Sequence, residues 1–133
     1  MTRTVPPHYS PAVVHGDLIF VSGQLPVEPD TGHRLTDAPI EAQVLQVLRN
    51  LAAILQAHGS DVDQVLKVTV YVSDIALWDR VNAVYADFFG AHRPARAVVP
   101  TGPLHFGCLV EIDAIASRVV TPAGVLQDPR PVP

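Results

Sequence analysis

Pro94-Ala95-Arg96-Ala97-Val98-Val99 and, beyond a Gly/Pro loop, Cys108-Leu109-Val110-Glu111-Ile112-Asp113-Ala114-Ile115-Ala116 decide how this chain is read. Both halves read as strands. In the second, Val110, Ile112, Ala114 and Ala116 alternate with Leu109, Glu111, Asp113 and Ile115, so one face is apolar and the other carries two acids. Arg96 stands inside an apolar run, where a guanidinium is costly unless an anion meets it. The loop from Pro100 to Gly107 is short enough to lay the second strand beside the first. Paired in that way, Arg96 and Glu111 would face one hollow, either as a structural ion pair or as the charged groups of a binding site.

Working outward, Ala12-Val13-Val14 and Leu18-Ile19-Phe20-Val21 flank Gly16-Asp17 and predict a β-hairpin whose turn needs the positive φ of glycine. Ser22-Gly23-Gln24 breaks that apolar run, and a glycine there lets another group approach the backbone closely. A helix follows from about Pro39 to His58, with Asp37 as candidate N-cap and Gly59 at its end. Val44, Leu48, Leu51 and Leu55 form its apolar stripe, while Glu41, Gln43, Arg49 and Gln56 read as its solvated side. Val65 to Val72 alternates as a strand with Lys67, Thr69 and Tyr71 on the less apolar face. Asp74 opens a second helix through Trp78, Val81, Val84, Tyr85 and Phe88, closed by Gly90. Asn82 falls in mid-helix, where asparagine has poor propensity; it either faces solvent, back-bonds, or contacts a neighbouring site.

Hairpin, helix, strand, helix and two strands make an α+β layer, an antiparallel-rich sheet with both helices on one face. The other face has no element left to cover it, which points to an oligomer. Composition agrees: charged residues are only 17% of the 133 and hydrophobic ones 48%. Residues 1–118 read as one domain, and 119–133, with four prolines, as an extended or disordered tail.

The function classes narrow on similar grounds. A net charge of −4 without a Lys/Arg cluster argues against nucleic acid as partner. No apolar run approaches the roughly 18 residues of a membrane span, and the first seven residues lack the apolar core of a signal peptide. The lone Cys108 excludes an internal disulfide and fits a cytoplasmic location; in a buried-looking strand it is a poor nucleophile. The six histidines show no metal-ligand spacing, and neither a Walker loop nor GxGxxG is present, so no metal site and no cofactor are expected.

Several blocks, in order, resemble one family. Phe20-Val21-Ser22-Gly23-Gln24-Leu25-Pro26 after the Gly-Asp turn, Val81-Asn82-Ala83-Val84-Tyr85-Ala86-Asp87-Phe88-Phe89, Arg93-Pro94-Ala95-Arg96 and Leu109 to Ala116 are similar to the Rid/YjgF/UK114 proteins, the reactive-intermediate imine deaminases. The resemblance spans residues 9 to about 118. It implies a chorismate-mutase-like fold, a homotrimer with clefts between subunits, and cofactor-free hydrolysis of enamine and 2-imino acid intermediates to 2-keto acids and ammonia. It assigns Arg96 to the substrate carboxylate and Glu111 to the hydrolytic water. Tyr9, Ser22 and Asn82 match the family's cleft positions and are implied as substrate-binding; Gly23, Val98 and Phe106 are expected beside them in the same role. A non-catalytic trimer that binds small carboxylates or a protein is the alternative, and RNA cleavage a third reading. Leu104-His105-Phe106-Gly107 departs from the family's Leu-Pro-basic/polar-Gly turn, and Phe106 there suits a larger or more apolar imine, or narrows access.

Overall fold

In the computed structural model, which describes residues 4–118, five strands and two helices form two layers. The strands are β1 (Ala12–His15), β2 (Leu18–Gln24), β3 (Val65–Val72), β4 (Ala95–Pro100) and β5 (Val110–Ser117); the helices are α1 (Ile40–Ala57) and α2 (Trp78–Phe89). The sheet runs β1-β2-β5-β3-β4, antiparallel except for the β3–β4 pair. The Pro-rich tail over 119–133 lies outside the described residues.

β5 is the middle strand, and its period of two builds the core. Val110, Ile112, Ala114 and Ala116 are buried, as are Val68, Val70 and Val72 beside them on β3. They meet Val44, Val47, Leu48, Leu51 and Leu55 of α1. Glu111, Asp113 and Ile115 face the other way, with Thr69, Tyr71, Phe20 and Val99 as neighbours on that open face. Val13 and Phe20 remain 57% and 41% exposed there, apolar surface that no element among the described residues covers.

Here one expectation is corrected. β4 and β5 do not pair, because β3 lies between them. α2 carries the chain across from β3 to a parallel β4, as a crossover helix must, and the 101–109 connection then steps over β3 to its far side. Arg96 is in register with Val68, whereas Glu111 is in register with Tyr71. Since register partners share a face, Arg96 points to the helix side and Glu111 to the open side. No Arg96–Glu111 ion pair exists.

α1 departs from its sequence reading at two points. Pro39, not Asp37, is the N-cap; its extended backbone turns its carbonyl to accept the Ala42 and Gln43 N–H groups at 3.1 and 3.2 Å. Gln43, expected in solvent, is fully buried. Its Nε2 donates to the Ala38 carbonyl at 3.0 Å and its Oε1 accepts from the Leu109 N–H at 2.9 Å, stapling the start of α1 to the approach to β5. At the other end Gly59 takes φ +77°, Ser60 N–H donates to the Leu55 carbonyl and Gly59 N–H to the Gln56 carbonyl, a Schellman closure. Asp74 caps a 3-10 turn over Ile75–Leu77 that leads into α2, accepting from Ala76 N–H at 2.9 Å.

Replacing Gln43 by leucine keeps the side chain's bulk but strips partners from two backbone groups. Each loses a hydrogen bond of modest net worth and gains a desolvation penalty. Gln43→Leu is expected to cost about 2 kcal/mol of stability in urea unfolding; an unchanged midpoint would show that water replaces both bonds.

Candidate active site

The eight residues singled out from sequence fall into two groups. Arg96, Asn82 and Val98 belong to the β4 edge and the helix above it. Glu111, Gly23, Ser22, Tyr9 and Phe106 belong to the other side.

In the first group, Arg96 lies under α2. Its Nη1 donates to Asn82 Oδ1 at 2.9 Å, and its guanidinium carbon stands 4.7 Å from the Tyr85 ring centre and 5.5 Å from that of Trp78. Trp78, Asn82 and Tyr85 follow one another at i, i+4 and i+7, the spacing that brings side chains onto one helix face. Asn82 is thus neither back-bonded nor free; it orients the arginine. Val98, two residues on from Arg96 and on the same face, packs against the core and so builds the wall rather than the polar part of the site. Among the described residues the only ion pair within 4 Å is Arg80–Glu41, a bidentate bridge between the helices that holds the Glu41 carboxyl down to about 2. Arg96 therefore has aromatic and amide partners but no acid, and its fork keeps donors for an outside anion.

The second group is built on a β-bulge. Val21 pairs Ala114 and Gln24 pairs Ile112, so Ser22 and Gly23 together oppose Asp113 alone. A Cβ on Gly23 would collide with the Glu111 carboxylate, whose Cδ would be 3.0 Å away. This is the close approach for which the sequence placed a glycine. Burial pushes the Glu111 carboxyl up, the neighbouring Asp113 charge adds to the rise, and His105 opposes it. Asp113 is itself bonded by the Tyr71 hydroxyl at 3.1 Å. Ser22 Oγ donates to the Ser10 carbonyl at 2.6 Å and its N–H to Pro11, pinning the segment that carries Tyr9. Ser22 is thus a structural tether here. Tyr9 is 67% exposed and lines, with Gly23, Arg34 and Phe106, a cavity of about 680 Å³.

Phe106 takes the left-handed conformation at φ +60°, ψ 12°, costly for a bulky residue. Its ring stacks on His105, with centres 3.5 Å apart, and on the Arg34 guanidinium, also at 3.5 Å. Arg34, which forms an isolated antiparallel bridge with Val27, has no motif around it to mark it in the sequence. Trp78 and Tyr85 were read as ordinary apolar stripe; their spacing with Asn82 was the available signal. Among the described residues no three His, Cys, Asp or Glu side chains come together to hold a metal ion.

The family model described as Endoribonuclease L-PSP matches residues 3–118 of this geometry, nearly the whole described chain. The protein belongs to the Rid/L-PSP family. A RutC family protein of Pyrococcus horikoshii is 43% identical over 110 residues, covering 83% of this chain and 86% of that one. Reactive Intermediate Deaminase A, chloroplastic, of Arabidopsis thaliana is 38% identical over 109 residues, covering 82% of this chain and 58% of that protein. Among solved structures, E. coli TdcF with bound serine superposes with a TM-score of 0.79 at 35% identity, covering 87% of this chain and 91% of that chain. The α+β fold expected from sequence is therefore the Rid/L-PSP fold.

The Glu111 environment has a sign that can be checked. A carboxyl raised by its surroundings favours the neutral form in the folded protein, so stability it contributes at low pH is lost as pH rises through the raised value. Glu111→Gln is then expected to melt at the same or slightly higher temperature at pH 7, the gain vanishing below about pH 4, the range of an ordinary glutamate. In carbon NMR titrations Glu111 should lie above that range, and Asp113→Asn should bring it down; a rise, or no change, would remove Asp113 as a cause.

Proposed function

We propose that this Rid/L-PSP protein is a hydrolase of 2-imino acids and their enamine tautomers, 2-aminoacrylate included, working as a homotrimer with its site between copies. The observation that carries the reading is Arg96: an arginine fixed by Asn82 and two aromatic rings, with no acidic partner within 4 Å among the described residues. A planar carboxylate is the natural guest for such a fork. TdcF, a relative of the same fold, is solved with serine, a small carboxylate, and the Arabidopsis relative is named a reactive intermediate deaminase.

The chemistry asks little more. An imine carbon is already electrophilic, so hydrolysis needs neither an electron sink nor a redox partner. With the carboxylate on Arg96, a water hydrogen-bonded to ionised Glu111 adds its oxygen to the imine carbon and gives its proton to the carboxylate. With the imine bound in its protonated form, Glu111 returns that proton to the nitrogen of the tetrahedral adduct, making it an ammonium. As the C–N bond breaks, Glu111 takes the proton of the adduct's hydroxyl, and ammonia and a 2-keto acid leave. A carboxyl raised by burial is a stronger base than an exposed one and gives the proton back less readily to water.

Arg96 and Glu111 lie on opposite faces of one sheet, two strands apart, roughly 10 Å in the strand-to-strand direction alone. A shared substrate of a few atoms therefore requires Arg96 of one copy and Glu111 of another. The exposed Val13 and Phe20 on the uncovered face supply apolar area for that assembly. The family's descriptive name raises RNA cleavage, but a net charge of −4 without a basic cluster offers little grip on phosphates.

Two experiments test the reading. Arg96→Lys keeps the charge and loses the fork, so hydrolysis of 2-iminopropionate, generated by an amino acid oxidase, should fall about tenfold to a hundredfold with the melting temperature nearly unchanged. Wild-type activity in a folded variant would sink the role of Arg96. Next, Arg96→Ala and Glu111→Gln, each inactive alone, are unfolded together and refolded. Random mixing of three copies should restore about a quarter of wild-type activity, since one cleft in four then combines both intact residues. No recovery would place both residues in one chain's site; a Glu111→Gln protein of full activity would leave only a carboxylate-binding module.

A further inference from the structure

Arg34 is a second arginine without an acid. It lines the cavity of about 680 Å³, none of whose lining residues is Asp or Glu, and no carboxylate lies within 4 Å of its guanidinium among the described residues. One face of that guanidinium rests on the Phe106 ring at 3.5 Å, a place Phe106 occupies only by accepting φ +60°. Both side chains are exposed, so a ligand reaches them without any rearrangement. The segment that carries Arg34 is fixed. Val27 bridges Arg34, the Glu28 N–H donates to the His33 carbonyl and the Leu35 N–H to the Pro26 carbonyl, both at 2.9 Å, which makes Pro26 to Leu35 a small hairpin. Asn50 of α1 ties it down, its Nδ2 donating to the Leu25 and Val27 carbonyls at 3.2 and 2.9 Å. Between hairpin and helix runs a trough with apolar walls, Val27 and Pro29 on one side and Ala53, Ile54 and Ala57 on the other. The amides and the imidazole in its wall already bond backbone: Asn50 as above, Gln24 Nε2 on the Ser22 carbonyl at 3.0 Å, and His58 Nδ1 on the Ile54 carbonyl at 2.8 Å.

We propose that this trough is a second ligand site, for an amphipathic monocarboxylate whose carboxylate sits on the Arg34 fork and whose apolar body lies between α1 and the hairpin. It is separate from the Arg96 site and does not rest on the imine-hydrolase reading. A mostly apolar concavity of this volume with one charged group still in want of a partner is the usual form of a small-molecule site. The charge selects an anion, and the planar fork favours a carboxylate held by two parallel bonds. The walls select the rest of the ligand, since a small hydrophilic anion would leave Val27, Ile54 and the two alanines in water. With Phe106 holding one face of the guanidinium and Asn50 holding the hairpin, little order has to be imposed when the ligand arrives.

Calorimetric titration of 4-phenylbutyrate and of its uncharged amide into the intact assembly tests this. The wild type is expected to take one acid per chain and to bind it about tenfold or more tightly than the amide, the worth of one charge-assisted bond. Arg34→Gln should bring the two affinities within about twofold of each other, and Arg34→Lys should keep part of the difference. Ala53→Trp, at an exposed position of α1, fills the trough and should abolish saturable binding with the melting temperature nearly unchanged. Arg96→Lys should bind the acid as the wild type does, whatever becomes of imine hydrolysis. A wild type without saturable binding at millimolar acid overturns the inference, and so does undiminished acid affinity in Arg34→Gln or in a folded Ala53→Trp. Loss of binding in Arg96→Lys with Arg34→Gln unaffected overturns it too, since the acid would then be seated on the other arginine. If Ala53→Trp does not fold, the acid-to-amide ratio in Arg34→Gln decides alone.

Discussion

The alternation of β5 is the constraint on which the molecule depends. Four small or branched apolar side chains on one face lie in the middle of the sheet, where β2 and β3 flank them and α1 closes over them. A strand has no third face, so Glu111 and Asp113 are delivered to the uncovered side as a consequence of building the core. A slip of one residue would bury two carboxylates under α1 and expose the aliphatic row, a cost far beyond the net stability of a domain this size. Position of the acid and stability of the fold are one decision.

The same sheet divides charge between its faces. Arg96 goes beneath α2, where rings and an amide accept it without neutralising it, and Glu111 goes to the open side against a glycine in a bulge. Each group is held away from an opposite charge that would quench it. A cation without its anion and a carboxyl forced upward are both unfavourable for folding alone. Such features accumulate where a ligand or a second copy completes the environment. The left-handed Phe106 beside the same bulge is a further unfavourable choice in this region.

Membership of the Rid/L-PSP family accounts for the scaffold and leaves the particular chemistry to the side chains lining it. Here those include several outside the family blocks read from sequence: Arg34 against Phe106, Trp78 and Tyr85 around Arg96, and Asp113 bonded to Tyr71 beside Glu111. They differ in kind from the blocks. A Pro-Ala-Arg run or a Ser-Gly-Gln run is contiguous, whereas these contacts join residues up to 72 positions apart, as Arg34 and Phe106 are.

By itself the sequence determined the local elements and the layer class. Period two in 110–116 and 65–72, period 3.6 in 44–55, and glycines at 16, 59 and 90 each encode a short-range geometric demand that the structure meets. It also marked Gly23 as a place of close approach and Arg96 as a charge in want of a partner, because each residue type is anomalous in its own strand. Only the tertiary structure decided who the partners are. The interposition of β3 between β4 and β5 is a choice among strand orders that no local pattern states, and it turned an expected Arg96–Glu111 neighbourhood into two charged groups on opposite faces. Gln43 was misplaced for a related reason: a polar residue on a helix is buried when two backbone groups elsewhere need it, and those groups, at Ala38 and Leu109, come together only once the chain has folded.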